Sequence, residues 1–531
     1  MNVAVAAPAG LAPAAAAPAK PPLAHIIAHL LMALGMFLAI LDIQIVAASL
    51  GEIQAGLAAS ADEIAWVQTS YLVAEVIMIP LSGFLARAMS IRWLFVFSCA
   101  GFTLASALCA MATSIEFMIF ARTLQGFLGG AMIPTVYAAG FLLFGRNRQA
   151  GITALVSFIV TLAPTIGPVL GGWITSIASW HWLFLVNIVP GIIITVAVAL
   201  LVKVDKPDWP LLRKIDVPGL LALALLCGGL VFVLEEGTRH QWFEDFWIRT
   251  MTGAVILAAL LLAWRVKTAP EPIVRVDAFG NLNFTAGVFL GAVFGIGLYG
   301  LVYLYPTFLS RIAGLSSGQI GQMLWVSGLF MAISAPISAF LANRTDARGI
   351  ACLGFLLLAA SCWLTAGITV EWRFAELFLP QMLRGIGIMM CILAVSVMCF
   401  ATLPQSQIKD STAFFTLFRN TGGALGIAMI NSVSAARFND HQARLAESAN
   451  PSRPEIAERL EMMTNMALAR GFPDPESFAL RSLAREIRRQ ALTLAYADSF
   501  AFLAVLFLAF AAVPLFLTKP GSFADPAPAE P

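Results

Sequence analysis

Five charged side chains lie deep within apolar runs of this chain: Asp42, Glu75, Arg122, Arg384 and Arg419. Charge at the centre of a bilayer costs roughly 2.5–3.5 kcal/mol per residue on insertion scales, so each is a functional hypothesis. Two chemistries fit. An acid and a cation at matching depth can neutralise each other, and an acid with no cation beside it can take up and release a proton. At about 1.5 Å per residue, Asp42 and Arg122 fall in the same half of their runs. They are expected to meet, either as a fixed structural pair or as part of proton coupling. Glu75 falls near mid-depth with no basic residue of spans 1, 2, 3 or 5 level with it. It is a coupling acid, or else a neutral carboxyl held by Ser, Thr or Gln. Arg384 is a cation for an anionic substrate group or for an acid in the opposite half, and Arg419 is a further intramembrane cation. With Tyr71, Trp325 and Phe415 they form a candidate substrate cavity for bulky amphipathic molecules.

Other chemistries are not indicated. The seven cysteines all fall inside apolar runs, and no Cys/His metal spacing occurs. No GxxxxGK[ST] pattern marks an ATP-driven pump. Net charge is +2, which indicates no nucleic-acid footprint. No metal, catalytic site or bound cofactor is expected, and the chain does not read as an enzyme.

The elements that must hold these residues are membrane spans. The chain has 531 residues, 60% hydrophobic and 12% charged, against about 25% charged for a soluble domain. The apolar runs predict about fourteen spans, at 26–50, 64–86, 91–111, 116–142, 150–172, 182–202, 217–235, 247–266, 284–306, 317–342, 350–369, 376–400, 410–435 and 496–518. Arg and Lys concentrate in alternate loops, which predicts both termini in the cytoplasm. Pro80–Ala86 (PLSGFLA) closes span 2 and Pro336–Ala342 (PISAFLA) closes span 10, each before a loop with two arginines. Such parallel repeats predict two six-helix lobes. The expected organisation is a disordered tail 1–24, a lobe 25–204, an inserted helix pair 205–280, a second lobe 281–518 and a tail 519–531. Loop 436–495 lies outside and carries two amphipathic helical patterns. It is a solvated cap or a partner-docking surface.

The run Ala163–Gly172 (APTIGPVLGG) closes span 5. Gly167 and Gly171 stand one helical turn apart and admit close approach of another backbone, while Pro168 frees a backbone carbonyl. With Gly172, this reads as a bendable packed helix half, or as a static packing face.

Several motifs together resemble the major facilitator superfamily, and within it the fourteen-helix drug:proton antiporters of the EmrB/QacA type. Gly167-Pro168-Val-Leu-Gly171-Gly172 resembles the antiporter motif. Leu41–Val46 is similar to LDxTIV, with Gln44 in place of Thr. Arg122-Thr-Leu-Gln125-Gly126-Phe-Leu-Gly129 resembles RxxQGxxxG. Trp180–Gly191 resembles the segment opening span 6, and Phe418–Gly426 the signature of span 13. The resemblance implies an all-α polytopic membrane protein with the major facilitator fold. It implies a secondary-active exporter of amphipathic compounds in the inner membrane, driven by the proton gradient without other cofactor. Asp42, Glu75 and Arg122 would carry coupling; Gln125, Gly126, Gly167, Pro168, Gly171 and Gly172 would serve gating. By likeness to EmrB, loop 436–495 would meet a periplasmic membrane-fusion adaptor in a tripartite pump. Two features depart from the pattern. Ala86 stands where an Asp is common, which would weaken the cytoplasmic gate. Arg384 stands where a neutral residue is expected, which leaves the substrate's charge open. The rival readings are an importer of small organic anions and a non-transporting receptor on the same fold.

Overall fold

Sequence punctuation sets the helix starts. The short loops end in Ser, Asp or Asn, whose side chains accept from the first free amides of the next helix, each such cap contributing about 1 kcal/mol. Ser60 and Glu63 form a reciprocal capping box. Ser114, Asp216, Asp245, Asn281, Asp346 and Asp474 cap six others. A computed structural model describes residues 23–144, 146–202, 205–315, 317–450 and 452–518. The expected tails lie outside these residues, except that Leu23 and Ala24 already belong to the first helix.

The helices are α1 (Leu23–Ala48), α2 (61–89), α3 (91–110), α4 (Ile115–Leu143), α5 (Arg146–Ile177), α6 (Trp182–Leu201), α7 (Val217–Glu236), α8 (Phe246–Thr268), α9 (Leu282–Arg311), α10 (Ser317–Arg344), α11 (Ala347–Thr365), α12 (Phe374–Phe400), α13 (Ile408–Ser448), α14 (Pro454–Ala469) and α15 (Pro475–Ala511). Among the described residues twelve stretches are long and apolar enough to cross a membrane, α2 and α3 counting as one; α5 and α14 are not among them, and about fourteen membrane helices fits this arrangement. The α2–α3 turn is so tight that only Ser90 leaves helical geometry, at φ 72°. That is a left-handed value uncommon for a residue with a side chain.

Two cores form. One gathers α1–α6 around Phe84, Phe95, Phe102 and Phe184. The other gathers α9–α13 and α15 around Phe284, Phe294, Phe308 and Phe355. The lobes repeat one plan. α4 packs on α2 as α12 packs on α10, and α1 on α5 as α9 on α13; across the lobes α5 meets α10 and α2 meets α13. The expected glycine contact is present. A Cβ on Gly167 would stand 2.3 Å from Gln44 Cβ, and one on Gly171 2.7 Å from the Ile45 carbonyl. Gly422 and Gly426 on α13 meet Ala292 and Ile296 of α9 in the same way. The Pro168 side chain lies outside the described set. Gly167→Val is therefore expected to force α1 and α5 apart and destabilise the protein by about 1–3 kcal/mol through overpacking. A melting temperature unchanged from wild type would contradict this.

The pair α7–α8 sits against α2, where Gly228 faces Val73 and Ile77. Arg265 and Asp216 bridge its ends at 2.6 Å. α8 leaves Trp247, Leu257, Leu260 and Trp264 exposed on its outer side, as a lipid-facing helix does.

The stretch 436–495 is not a loop. α13 continues unbroken to Ser448 and α15 begins at Pro475, with α14 between them. The residues Ala435–Ser448 contain no Gly or Pro and include four alanines and two arginines, so nothing stops the helix where the apolar run ends.

Candidate functional site

α4 presents Arg122 and Gln125 one turn apart on one face. The following Gly126 and Gly130 let that helix lie directly on α2, since a Cβ at Gly126 would be 2.3 Å from the Tyr71 carbonyl and one at Gly130 2.6 Å from that of Glu75. The close approach buries a charge node built from five helices. Arg122 Nη1 donates to Asp42 Oδ2 at 2.5 Å and to Gln125 Oε1 at 2.7 Å, and Nε donates to the Val67 carbonyl at 3.1 Å. Asp42 Oδ1 accepts from Asn187 Nδ2 at 2.7 Å and Gln125 Nε2 at 3.1 Å. Gln125 Nε2 also donates to Ser106 Oγ at 2.8 Å. The guanidinium lies 4.2 Å from the Tyr71 ring centroid. Asp42, Arg122, Gln125 and Asn187 are all fully buried. Asp42 and Arg122 thus meet as depth predicted, and the pair is held too completely to exchange partners freely.

Glu75 is placed differently. Its side chain is buried, yet it makes no hydrogen bond and no ion pair among the described residues. Its charged neighbours are Arg419 of α13, in the other lobe, and Arg122. Tyr299 and Tyr137 share the electrostatic neighbourhood of Arg419. Arg419 Nη2 reaches Asn420 Oδ1 at 3.4 Å, while its Nε and Nη1 have no partner. A buried acid of one lobe thus shares an electrostatic neighbourhood with a buried cation of the other, two of whose donors are without a partner.

Other candidate residues separate. Tyr71 is sealed under Arg122, its hydroxyl donating to the Ala39 carbonyl. Phe415 packs on Gly291 and Phe400. Trp325 is half exposed on α10. Arg384 is buried inside the second lobe over Tyr305. The structure does not bring Tyr71, Trp325, Arg384, Phe415 and Arg419 to one wall; of these, Tyr71 and Arg419 are neighbours of Glu75.

A latch closes the face that carries the chain ends. Arg87 bonds Asp410 across the lobes. Lys409 Nζ donates to Asp205 Oδ2 at 2.6 Å and to the Ala86 carbonyl at 3.1 Å, and Asp205 Oδ1 accepts from the Ile91 amide at 3.0 Å. Phe141 and Phe400 meet below it at 4.9 Å between centroids. The carboxylate absent at Ala86 is thus supplied by Asp205 and Asp410. Charge alternation along the sequence shows neither, because both come from distant segments. A largely buried ion pair of this kind contributes at least about 1 kcal/mol, so Asp410→Asn is expected to raise the open population about fivefold or more, by the order of magnitude these pairs carry. Faster thiol labelling of a cysteine placed at Ala413 checks this, and an unchanged rate would contradict it.

Comparison with known proteins agrees with this architecture. A profile for the Major Facilitator Superfamily matches residues 32–427. The chain belongs to the major facilitator superfamily. Among its superfamily relatives, the colistin resistance protein EmrB of Acinetobacter baumannii is 37% identical over 92% of this chain and 95% of its own. The multidrug export protein EmrB of Escherichia coli (strain K12) is 26% identical over 91% and 93%. Among solved structures, the human organic anion transporter MFSD10 superposes with a TM-score of 0.56 at 14% identity, covering 92% of this chain and 100% of that one. An inward-facing bacterial Spinster homologue gives 0.52 at 14%, covering 93% and 96%. These two share the superfamily fold.

Proposed function

We propose that this chain is a multidrug exporter of the inner membrane that moves amphipathic molecules outward in exchange for protons, by rocking of its two lobes. The relatives' names, multidrug export and colistin resistance, support export of such compounds. Glu75 carries the coupling argument. It is a buried acid without a bond of its own, set between lobes that must part. Protonation removes its attraction to Arg419 and favours separation there; loss of the proton restores it. A ligand moves this equilibrium only by its differential affinity for the two states. The Asp42–Arg122 node holds α1, α2, α3, α4 and α6 as one body and fixes the turn of α2 that bears Glu75.

The latch face and its loops hold Arg87, Arg92, Lys206, Arg213, Lys214, Arg265, Lys267, Arg275, Arg344, Arg348 and Lys409, whereas the short loops and helix ends opposite, the long segment 436–495 apart, hold only Arg239, Arg249, Arg311 and Arg373. That bias supports placing the latch and both termini in the cytoplasm and the α14 cap in the periplasm. There the cap would receive a membrane-fusion adaptor, as part of a tripartite pump.

The test is purified protein in vesicles with an imposed pH gradient, lumenal pH being followed as lipophilic cations, neutral compounds and organic anions are added. Proton movement on adding a lipophilic cation is expected. Silence across the whole panel would overturn antiport.

A further inference from the structure

The two lobes repeat one arrangement with one group missing. In the first lobe Gly126 seats α4 on the Tyr71 carbonyl of α2. In the second, Gly385 seats α12 on the Ser327 carbonyl of α10, a Cβ there lying 2.3 Å from that oxygen. Superposing these contacts puts Gln381 at the place of Arg122 and Arg384 at the place of Gln125. Both lobes then hold an Arg and a Gln one turn apart, with the Arg Nη1 donating to the Gln Oε1, at 2.7 Å in the first and 3.0 Å in the second. Both set the guanidinium near a tyrosine ring, Tyr71 at 4.2 Å and Tyr305 at 5.2 Å. The first lobe completes the set with the Asp42 carboxylate. The second has no such acid among the described residues.

Arg384 is 3% exposed and Gln381 fully buried. Arg384 Nε and Gln381 Nε2 are both donors without a partner. The titratable neighbours of Arg384 are the Tyr305 hydroxyl and the Cys362 thiol, both neutral and neither a carboxylate. The nearby hydroxyls bond elsewhere, Tyr305 with Thr365 at 2.7 Å and Ser361 to the Pro380 carbonyl at 2.8 Å, and neither accepts from Arg384 Nε or Gln381 Nε2. A buried guanidinium is stable in such a place only with a counter-charge.

We propose that Arg384 and Gln381 bind a small monovalent inorganic anion of chloride size, held by Arg384 Nε and Gln381 Nε2 in the role that the Asp42 carboxylate plays in the first lobe. A monatomic ion fits the observations because both donors are enclosed and both belong to adjacent turns of one helix. The anion would complete the polar core of the second lobe as a resident ion, distinct from the transported substrate. The inference does not depend on export or on proton coupling.

The test uses the full chain in detergent or nanodiscs, with chloride exchanged for gluconate at equal ionic strength. Two readouts are taken on wild type, the melting temperature and radiochloride binding by equilibrium dialysis. The expected result is a melting temperature that rises with chloride and saturates, with about one ion bound per chain, as a ligand selective for the folded state requires. Gln381→Leu removes one of the two donors and is expected to raise the half-saturating chloride by about tenfold or more. Arg384→Gln should bind no chloride and melt identically in both salts. If that variant does not fold, Gln381→Leu decides. Wild type that binds no chloride would overturn the proposal, as would unchanged affinity in Gln381→Leu. Displacement of chloride by benzoate at lower concentration than by bromide would overturn it too, and reassign the site to a substrate carboxylate.

Discussion

Asp42→Ala is expected to cost about 3–5 kcal/mol of stability, because it leaves the Arg122 guanidinium buried without its counter-charge. Asp42 receives three hydrogen bonds, from Arg122, Gln125 and Asn187, and their donors come from two helices other than its own. Removing the carboxylate takes a fully buried acceptor from all three and leaves Arg122 without an anion, with only Gln125 and Ser106 to accept in its place. Arg122→Met alone strands the carboxylate instead and is expected to be similarly severe. The double variant removes both charges and leaves Gln125 and Asn187 to bond each other or Ser106. It should recover a large part of the loss, since neighbours of this kind are strongly non-additive. Thermal melting of the four proteins in nanodiscs closes the cycle. Additive losses would show that the pair has no special weight in the fold.

Glu75→Gln is expected to do the reverse: keep the fold and lose the coupling. Glu75 has no bond to lose, and the amide has the same shape without the charge. Stability should stay within about 1 kcal/mol of wild type or rise, because a buried unpaired acid is itself a burden. Substrate-driven proton movement should fall by roughly a hundredfold or more, the scale typical of removing a positioned proton-transfer group. Substrate binding should persist. Arg419→Gln, on the facing helix, should shift the pH at which coupling is half-maximal and leave the direction of transport unchanged. If Glu75→Gln pumps protons as wild type does, the coupling acid is Asp42, and the node is less rigid than its bonding implies.

How legible these features are in the sequence depends on where the partner comes from. Depth arithmetic brought Asp42 and Arg122 together because both lie in one lobe, on helices that start from opposite faces. The same arithmetic left Glu75 alone, since its facing cation is on α13, across an interface that no spacing encodes. Arg384 stands one turn from the counterpart of Arg122 only once Gly385 is matched to Gly126 through their helix contacts, which the Pro80–Pro336 repeat does not reveal. The aromatic set failed as a cavity because composition does not say which way a ring points: Tyr71 turned inward under Arg122, and Trp325 turned out. The span ending at 435 was misread as a loop boundary because apolar content stops there while helix propensity does not. Hydropathy marks the edge of the membrane, which is not the end of the helix.

That last point gives the protein a mechanical property. At about 1.5 Å per residue the 41 residues of α13 reach about 60 Å, twice the thickness of a bilayer's hydrocarbon core. The same rod carries Asp410 near one end, Arg419 next, and the α14 ridge beside its far tip. It works as a lever arm: a tilt of about 10° at the membrane sweeps the tip through roughly 10 Å by the same geometry. Rocking too small to see near Arg419 is therefore amplified at the cap. A rigid binder clamped on α14 would then stall the lobes from a distance, and a pair of spectroscopic labels there would read out their angle.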